Sequence, residues 1–441
     1  MNISDLTAKE GIFCTCGKTH FSGIDDVVIG SGALKRLPEI VRRYTSGRVF
    51  VLADPNTFAA AGKLCCGILK DGGIDFSIFV FESGCPAPNE ETVGSAVMNF
   101  DTGCELILGI GSGVVNDTGK LLSRLTGKPY VIAATAPSMD GYASATSSME
   151  RGGLKTSIPS VCPNVVVGDT DVLKNAPLPM LRAGLGDMLA KYVSVCEWRI
   201  AHIVTGEYYC EYISGLVRSS LEKCLKNAGG LLSRRDDAVE AVFEGLVVCG
   251  LAMSFAGLSR PASGVEHYFS HIWDMRALEF GTPAHSHGVQ CALGTLLAVK
   301  LYEKLKAFCP DRERAFSAVE SFDKNAWNGE LRRLLGRGAE AMIALEPREN
   351  KYDPQRHAER FETIASRWGE ILDVISRELP CPERLEKLMD SLGLPVAPAA
   401  LGLEEEIGTV FSATKDIRDK YVLSRLVWDL GLSGEISPEN L

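Results

Sequence analysis

Four of the seven histidines in this chain lie in one short stretch, as His267 and His271 in GVEHYFSH and as His285 and His287 in AHSHGV. Imidazole is the commonest protein ligand for zinc-like metals, and it titrates nearest to neutral pH. The cluster therefore predicts a metal site or an acid–base site. On a helix, His267 and His271 would be one turn apart and could face one cavity, whereas His285 and His287 would point in different directions. We expect one histidine of each pair to bind the metal.

A carboxylate ligand for the same metal is available in GLGDMLAKY, where Asp187 lies near the start of a helical region. Two neutral imidazoles and one carboxylate leave an open coordination position for a substrate, which Lewis-acid catalysis requires. The zincin motif is absent, because Tyr268 occupies the position of its glutamate.

Two cysteines and a histidine are close together near the N-terminus, in CTCGKTH. This segment resembles half of a zinc knuckle. No second cysteine pair follows at a suitable spacing, so the sequence favours a hairpin with reduced thiols over a structural metal site.

A glycine-rich turn, GIGSGVVNDTGK, follows a short apolar run and leads into a helical stretch. Glycines at a strand-to-helix turn allow backbone amides to approach a phosphate, and the helix N-terminus attracts its charge. The spacing departs from the dinucleotide fingerprint and from the Walker A loop, since Val114 stands where each needs a glycine. A phosphate cradle and a tight turn without a ligand both stay open.

Two aspartates follow other apolar runs. Asp54 ends RVFVLAD, where it could hydrogen-bond a ribose hydroxyl and repel a 2′-phosphate, or could cap the next helix. If Asp54 and the glycine turn bind one nucleotide, NAD is favoured over NADP. Asp140 lies in TAPSMDGYAS among small residues that leave room for a substrate, although a plain turn has the same composition.

The elements that must position these residues change in type near residue 175. Before it, short β-branched runs alternate with helical stretches such as 56–70 and 89–99, which predicts a mainly parallel sheet with helices on both faces. After Pro179 the apolar spacing is helical. We therefore predict an α/β nucleotide-binding domain over 1–175 and an all-helical metal- and substrate-binding domain over 176–441. The predicted strands are Asp26–Ile29, Arg48–Asp54, Phe76–Glu82, Glu105–Ile110, Tyr130–Pro137 and Asn164–Asp169.

Composition limits the classes of function. A net charge of −10 disfavours nucleic-acid binding. The most apolar run, Gly245–Ser259, is shorter than a membrane span and predicts a buried core helix. The start of the chain shows no secretory signal, and the 14 scattered cysteines are typical of reduced thiols, so we expect a cytoplasmic protein. No motif defines the oligomeric state, and a homodimer stays open.

Five motifs in this order resemble the sn-glycerol-1-phosphate dehydrogenase family: GIGSGVVNDTGK, TAPSMDGYAS, RAGLGDMLAKY, SGVEHYFSH and HSHGVQCALGTLL. That family belongs with glycerol dehydrogenase, iron-type alcohol dehydrogenases and 3-dehydroquinate synthase. The resemblance implies a dehydroquinate synthase-like fold, with an N-terminal dinucleotide-binding domain and an all-α C-terminal domain. It also implies reversible reduction of dihydroxyacetone phosphate to sn-glycerol 1-phosphate by NAD(H), or by NADP(H).

The resemblance implies a role for individual residues. The metal ligands would be Asp187, His267 and His287, with His271 near the nicotinamide as a proton carrier and His285 as a neighbour. Iron-type relatives carry a further histidine where this chain has Lys191, which favours zinc or nickel over iron. Asp140 would orient a substrate hydroxyl, and Lys155 in RGGLKTSIP would bind the substrate phosphate. The implied cofactor-binding residues, besides Asp54, are Gly111, Ser112, Gly113, Asn116, Asp117, Thr135, Ser138 and Ser144.

Three alternatives stay open at this level. The substrate could be unphosphorylated glycerol or another polyol. A dehydroquinate-synthase-like lyase would need the same cofactors, but it would need more arginine and lysine contacts than Lys155 and Arg260 provide. The histidines could also cross-link helices in a binding module without catalysis.

Overall fold

A computed structural model describes residues 3–152 and 154–441 of the chain. Each of the six predicted apolar runs forms a strand, and two short hairpins are added to them. The strands are β1 (Ile12–Phe13), β2 (Thr19–His20), β3 (Asp26–Gly30), β4 (Arg48–Ala53), β5 (Phe76–Val80), β6 (Cys104–Gly111), β7 (Tyr130–Ala134), β8 (Thr146–Arg151), β9 (Leu154–Pro159) and β10 (Val165–Asp169).

The predicted runs form one six-stranded parallel sheet in the order β3-β10-β7-β6-β4-β5. Every residue of β7 and β10 is buried, as expected for strands covered on both faces. The prediction of a parallel α/β sheet is confirmed. Some strands end earlier than predicted, and β7 stops at Ala134 before Pro137, which has no N–H to donate to a neighbour. The other strands form two antiparallel hairpins, β1–β2 and β8–β9. The first confirms the hairpin that the sequence favoured at CTCGKTH, and the second was not predicted.

The order of the sheet reverses between β4 and β6. The chain passes from β4 outward to β5 at the edge, and then returns to β6 on the other side of β4. Ala53 pairs with Ile110, and Gly111 pairs with Ala134, so β4, β6 and β7 end side by side. In open parallel sheets, ligands bind beyond the strand ends at such a reversal.

Helices account for most of the remaining chain. They are α1 (Leu37–Arg42), α2 (Pro55–Thr57), α3 (Lys63–Asp71), α4 (Glu90–Met98), α5 (Gly113–Thr126), α6 (Thr170–Leu173), α7 (Leu178–Leu189), α8 (Lys191–Thr205), α9 (Glu211–Asn227), α10 (Asp236–Ala256), α11 (Val265–Phe280), α12 (His287–Leu305), α13 (Arg312–Glu320), α14 (Lys324–Leu335), α15 (Gly338–Glu349), α16 (Pro354–Ser366), α17 (Trp368–Glu378), α18 (Pro382–Ser391), α19 (Ile407–Ala413) and α20 (Leu423–Asp429). A π-helical turn (Phe58–Gly62) joins α2 to α3, and short 3-10 turns lie at Ile3–Thr7, Ala33–Arg36, Asp140–Ala143, Ala228–Gly230, Pro398–Leu401 and Pro438–Asn440.

The first of two compact units contains the sheet. It comprises the chain through Met188 together with Glu211–Ser259, and therefore includes α9 and α10. The apolar run Gly245–Ser259 forms the second half of α10, so the predicted core helix is confirmed, although α10 begins earlier and ends at Ala256. By length and composition α10 could cross a membrane, but 78% of its most apolar window is buried within the fold.

The second unit comprises Leu189–Cys210 and Arg260–Leu441. It is helical, and the described residues after Asp169 contain no strand, which confirms the predicted all-α C-terminal region. The charged segment 311–377 forms helices with polar outer faces and buried apolar stripes, such as that of Leu331, Leu334 and Leu335 on α14. Both units are assembled from separate stretches of the chain, and the domain boundary at residue 175 stays a prediction.

Candidate active site

Three glycines lie at the end of β6 and at the start of α5, and the structure accounts for them in different ways. A Cβ on Gly109 would lie 2.4 Å from the Tyr130 hydroxyl, and one on Gly111 would lie 2.4 Å from Cβ of Val115. A Cβ on Gly113 would meet no atom nearer than Met139, at 3.8 Å. Packing therefore requires the first two glycines, whereas a Cβ on the third would make only an ordinary van der Waals contact at the N-terminus of α5. The first N–H groups of a helix have no partner within the helix, so this end of α5 suits an anion.

The predicted cofactor residues Asp54, Ser112 and Thr135 directly follow β4, β6 and β7. These strands are neighbours in register, about 4.8 Å apart in the sheet. The structure therefore places the three residues at one edge, at the reversal of strand order. Thr135 is buried, and its N–H donates to the Gly111 carbonyl at 3.1 Å.

Asp54 is the N-cap of α2. Its Oδ1 accepts a hydrogen bond from the Thr57 N–H at 2.9 Å, and the Thr57 hydroxyl accepts one from the Asp54 N–H at 3.0 Å. The helix-capping alternative that the sequence left open is therefore present in the structure. Capping uses one carboxylate oxygen, so a ribose contact through the other stays a prediction.

A buried polar network lies behind the glycine turn. Asn116 donates to the Gly141 carbonyl at 3.2 Å, and Asp117 forms an ion pair with Lys120 at 2.8 Å. Lys120 also donates to the Gly141 carbonyl at 3.1 Å and to the Ser144 hydroxyl at 3.3 Å. The predicted cofactor residues of this group thus tie α5 to the loop after β7. Burial raises the pKa of Asp117, and the Lys120 charge opposes that rise.

Lys155, the predicted phosphate ligand, lies on β9, opposite Glu150 on β8. Its charge acts on Asp117 and favours the ionised form of that carboxyl. The structure therefore places Lys155 on the hairpin that adjoins α5. Lys120 was not predicted from the sequence, although its GK position after the glycine turn is a visible signal.

The loop after β7 approaches α7 closely. The Asp140 N–H donates to Oδ2 of Asp187 at 2.9 Å, and carboxylate oxygens of the two residues lie within 4.8 Å of each other. A Cβ on Gly184 would lie 1.8 Å from the Pro137 carbonyl oxygen, so only glycine permits this approach. Ser138, on the same loop, is half-buried. The structure thus joins the predicted substrate aspartate to the predicted metal aspartate, which is fully buried.

The histidine cluster lies in the second unit, on α11 and at the start of α12. The His287 ring centroid is 5.0 Å from that of His267 and 6.2 Å from that of His271. His285 precedes α12, and its Nε2 pairs with the Leu401 carbonyl at 2.8 Å. Three of the four histidines therefore share one location, whereas His285 uses its outer nitrogen elsewhere.

The inner nitrogens of two of these histidines are engaged. Nδ1 of His267 is 2.7 Å from Oε1 of Glu266, a fully buried carboxylate. Nδ1 of His287 is 3.0 Å from the Ser270 hydroxyl, which donates to Gln290 at 2.6 Å. When Nδ1 carries the proton, the lone pair is on Nε2, the form in which histidine binds metals. Both histidines are therefore prepared to act as Nε2 ligands.

Glu266 is itself held by the backbone. Its Oε1 also accepts the Gly264 N–H at 2.7 Å, while Oε2 has no hydrogen-bond partner among the described residues. Glu197 lies nearby and accepts the Val265 N–H at 2.8 Å; burial, aided by the Glu266 charge, raises the pKa of Glu197 to about 8. Glu266 was not singled out from the sequence, although it directly precedes His267.

A thiol and a lysine complete the surroundings of these histidines. Sγ of Cys291, one turn after His287 on α12, lies 3.6 Å from its Nε2. Lys191, at the position where iron-type relatives carry a further histidine, is buried, and its ammonium donates to the Ala262 carbonyl at 3.0 Å. That ammonium is occupied with the backbone and carries no lone pair for a metal.

Comparisons with known proteins identify the family and support the fold. The family model for iron-containing alcohol dehydrogenases matches residues 28–177. The glycerol-1-phosphate dehydrogenase [NAD(P)+] of Halalkalibacterium halodurans is 33% identical over 294 residues, which cover 66% of this chain and 74% of that protein. The enzyme of the same name from Geobacillus stearothermophilus is 27% identical over 398 residues and is covered to 89%, as is this chain.

A solved structure shares the fold over nearly the whole length. The crystal structure of glycerol dehydrogenase from Schizosaccharomyces pombe superposes with a TM-score of 0.61 at 19% identity, covering 98% of this chain and 92% of that one. At this level of identity the likeness concerns the fold alone.

Proposed function

This chain belongs to the glycerol-1-phosphate dehydrogenase family of oxidoreductases, and we propose that it reduces dihydroxyacetone phosphate to sn-glycerol 1-phosphate by reversible hydride transfer from NAD(P)H. The observation that carries the proposal is that buried partners bind Nδ1 of His267 and Nδ1 of His287, which makes Nε2 of each ring the nitrogen that can bind a metal. A histidine that only cross-linked helices would not need its outer nitrogen kept as a lone pair.

One divalent metal would be held by Asp187, His267 and His287. The donor set fits, because two imidazole nitrogens and one carboxylate oxygen are the ligands that zinc and nickel accept, and the described chain adds no fourth ligand at Lys191. When bound, the cation withdraws electron density from the substrate carbonyl and stabilises the negative charge that develops on its oxygen. We propose zinc or nickel.

The cofactor would bind at the sheet edge. The amides of Gly111, Ser112 and Gly113 would hold its pyrophosphate, because they lie at the N-terminus of α5, whose dipole favours an anion. Asp54 would bind the adenosine ribose through the oxygen that capping does not use, which favours NAD(H) over NADP(H). Thr135 and Ser138 would contact the nicotinamide side.

Three polar residues would handle the substrate. Asp140, fixed through its N–H by Asp187, would orient a hydroxyl of dihydroxyacetone phosphate. His271 lies one helical turn after His267 and would deliver the proton that accompanies hydride addition to C2. Lys155 would bind the phosphate, in keeping with the cation that such a group requires.

A spectrophotometric assay tests the proposal. Apoprotein reloaded with zinc or nickel should oxidise NADH with dihydroxyacetone phosphate much faster than with dihydroxyacetone, and it should run in reverse with sn-glycerol 1-phosphate. Preference for dihydroxyacetone or glycerol would instead assign a polyol dehydrogenase. A dehydroquinate-synthase-like lyase would show no net NADH oxidation, since it regenerates its NAD each turnover.

Two variants test the ligands and one tests the substrate cation. Asp187→Ala or His287→Ala should remove the catalytic metal together with turnover, whereas His285→Ala is the matched control and should keep both, because its Nε2 pairs with a carbonyl. An active, metal-replete Asp187→Ala variant would refute the ligand set.

Lys155→Ala should raise KM for dihydroxyacetone phosphate far more than KM for NADH, and unchanged substrate kinetics would remove Lys155 from the site. The predicted cytoplasmic location and homodimer stay predictions.

A further inference from the structure

The hairpin β1–β2 concentrates three soft and borderline metal ligands that the proposed reaction does not use. Ligand atoms of Cys14, Cys16 and His20 all lie within 4.8 Å of one another. Cys14 and His20 are buried. Cys16 is half-buried. Two thiols and an imidazole form a ligand set that binds zinc in preference to magnesium or calcium.

The hairpin turn is built to bring the two thiols together. The Cys14 N–H donates to the Lys18 carbonyl at 3.0 Å, and the Gly17 N–H donates to the Cys14 carbonyl at 3.0 Å. Gly17 has a φ of +85°, which favours glycine and closes the turn. The Cys16 N–H donates to Sγ of Cys14 at 3.5 Å, so the turn itself holds this sulfur beside Cys16.

His20 is oriented as a metal ligand. Its Nδ1 pairs with the Phe255 carbonyl of α10 at 3.1 Å, which leaves the lone pair on Nε2. Nε2 is 3.5 Å from Sγ of Cys16. In a tetrahedral site with Zn–S of about 2.3 Å and Zn–N of about 2.0 Å, the sulfur-to-nitrogen distance is about 3.5 Å. The two atoms therefore already have the spacing of two ligands on one zinc ion.

A fourth ligand is available next to α9. Tyr212, in the first turn of α9, stacks its ring on His20 with a centroid distance of 6.2 Å. Cys210 is buried and precedes Tyr212 by only two residues. It is also far from the hairpin in sequence, which is why the CTCGKTH spacing alone shows only half of a site.

We propose that Cys14, Cys16, His20 and Cys210 bind a structural Zn²⁺, separate from the proposed catalytic metal. Four protein ligands leave no position for a substrate, so this ion acts in folding rather than in catalysis. It fixes the N-terminal hairpin to α9 and α10, the two helices that supply Tyr212 and the Phe255 carbonyl. This proposal is independent of the substrate and of the proposed reaction.

Cobalt substitution tests the site in the intact protein. Thiolate-to-cobalt charge-transfer absorption in the near ultraviolet should appear in the cobalt-loaded wild-type chain and should persist in Asp187→Ala, which lacks the proposed catalytic site. X-ray absorption at the zinc edge of the zinc-loaded Asp187→Ala protein should show sulfur neighbours at about 2.3 Å. Absence of both signals from a folded protein would overturn the proposal.

Variants assign the signal to these thiols. The double variant Cys14→Ser/Cys16→Ser should lose one equivalent of zinc and the charge-transfer band, and its thermal midpoint should fall. The matched control is Cys309→Ser, an exposed thiol, which should keep all three properties. Loss of the band in Cys291→Ser, with retention in the double variant, would assign the thiolate to the histidine cluster and refute the hairpin site. If the double variant does not fold, the wild-type spectra decide.

Discussion

Glu266→Gln is the substitution that most directly tests how the chain prepares His267 for a metal. The change keeps the shape of the side chain and removes its negative charge. Oε1 accepts the Nδ1–H of His267 and the Gly264 N–H, both at 2.7 Å, in a fully buried position. A glutamine oxygen can accept the same two hydrogen bonds, so the fold should be retained.

The expected loss follows from the strength of one hydrogen bond. Bonds to charged groups contribute about 1.5–3 kcal/mol and neutral ones about 0.5–1.5 kcal/mol, so His267 loses about 1–1.5 kcal/mol. The Gly264 contact does not change when the metal binds, so it cancels from the binding equilibrium. The His267 bond also exists without the metal, but it strengthens on binding because the cation makes the imidazole N–H a stronger donor. The metal affinity should therefore fall by up to about tenfold, the lower end of the range for such supporting residues.

The assay is the recovery of dehydrogenase activity by apoprotein in solutions buffered at a series of free zinc or nickel concentrations. This readout reports the catalytic metal, and comparison with wild-type apoprotein treated in the same way cancels the contribution of a second zinc site. The matched control is Glu330→Gln, an exposed carboxylate on α14 that pairs with Arg333. Wild-type metal affinity in Glu266→Gln would refute the argument that the carboxylate prepares His267, and a fall in thermal midpoint without a change in affinity would show a purely structural role.

Three further predictions follow from contacts in the structure. Gly113→Ala should raise KM for the nicotinamide cofactor roughly tenfold with little change in thermal midpoint, because its Cβ would clash with no protein atom. Gly111→Ala should instead lower the free energy of unfolding by about 1–3 kcal/mol, because its Cβ would clash with Val115. Equal effects of the two substitutions on KM and on stability would contradict this. Asp54→Asn keeps a cap of similar strength and removes a charge worth about 1 kcal/mol, so kcat/KM for NADPH relative to NADH should rise roughly fivefold; an unchanged ratio would exclude Asp54 from cofactor choice. Burial lowers the pKa of Lys415 to about 8, whereas the ordinary lysine value is 10.5. Between these two pH values the unfolded chain binds more protons than the folded chain. The free energy of unfolding should therefore rise with pH across that range, by up to about 1.4 kcal/mol per pH unit. Urea unfolding of Lys415→Met should show a flatter rise, and parallel curves would contradict the assignment.

The parallel sheet was predictable because its strands are short apolar runs with little competing signal. The inner strands β4, β6, β7 and β10 are buried almost throughout, so composition alone distinguishes them from surface strands, whereas the edge strand β5 is only half-buried. The β8–β9 hairpin could not be found in this way. The strand Thr146–Arg151 contains only one apolar residue, Met149, so its sequence shows no apolar face. The family resemblance, read from five ordered motifs, is confirmed by the relatives that this chain matches at 33% and 27% identity.

The candidate site was predictable in its residue types and not in its contacts. Periodicity indicated that His267 and His271 share a helix face, but no spacing rule shows that Nδ1 of His267 meets the preceding glutamate. Asp54 shows a second reason why sequence is insufficient. A helix cap with Thr57 and a contact with a ribose both require an aspartate at the end of this strand, so the residue type does not distinguish them. Local sequence states which groups are available, and the hydrogen-bond partners that tertiary packing supplies decide which atom of each group remains free.

That principle separates the histidines of this chain into two classes. His20, His267 and His287 engage Nδ1 with a carbonyl, a carboxylate and a hydroxyl, which makes Nε2 the nitrogen that can bind a metal. His285 and His357 instead engage Nε2 with backbone carbonyls, which occupies the outer nitrogen. His202 also engages Nδ1 with a carbonyl, that of Glu207, but it is exposed and has no proposed ligand beside it. The choice of nitrogen therefore distinguishes ligands from structural histidines only when it is taken together with burial and with the neighbouring ligands. The same arrangement, with Nδ1 held by the protein, occurs in both proposed metal sites. It serves a ligand of the catalytic ion, which keeps a coordination position for substrate, and a ligand of the structural ion, which does not.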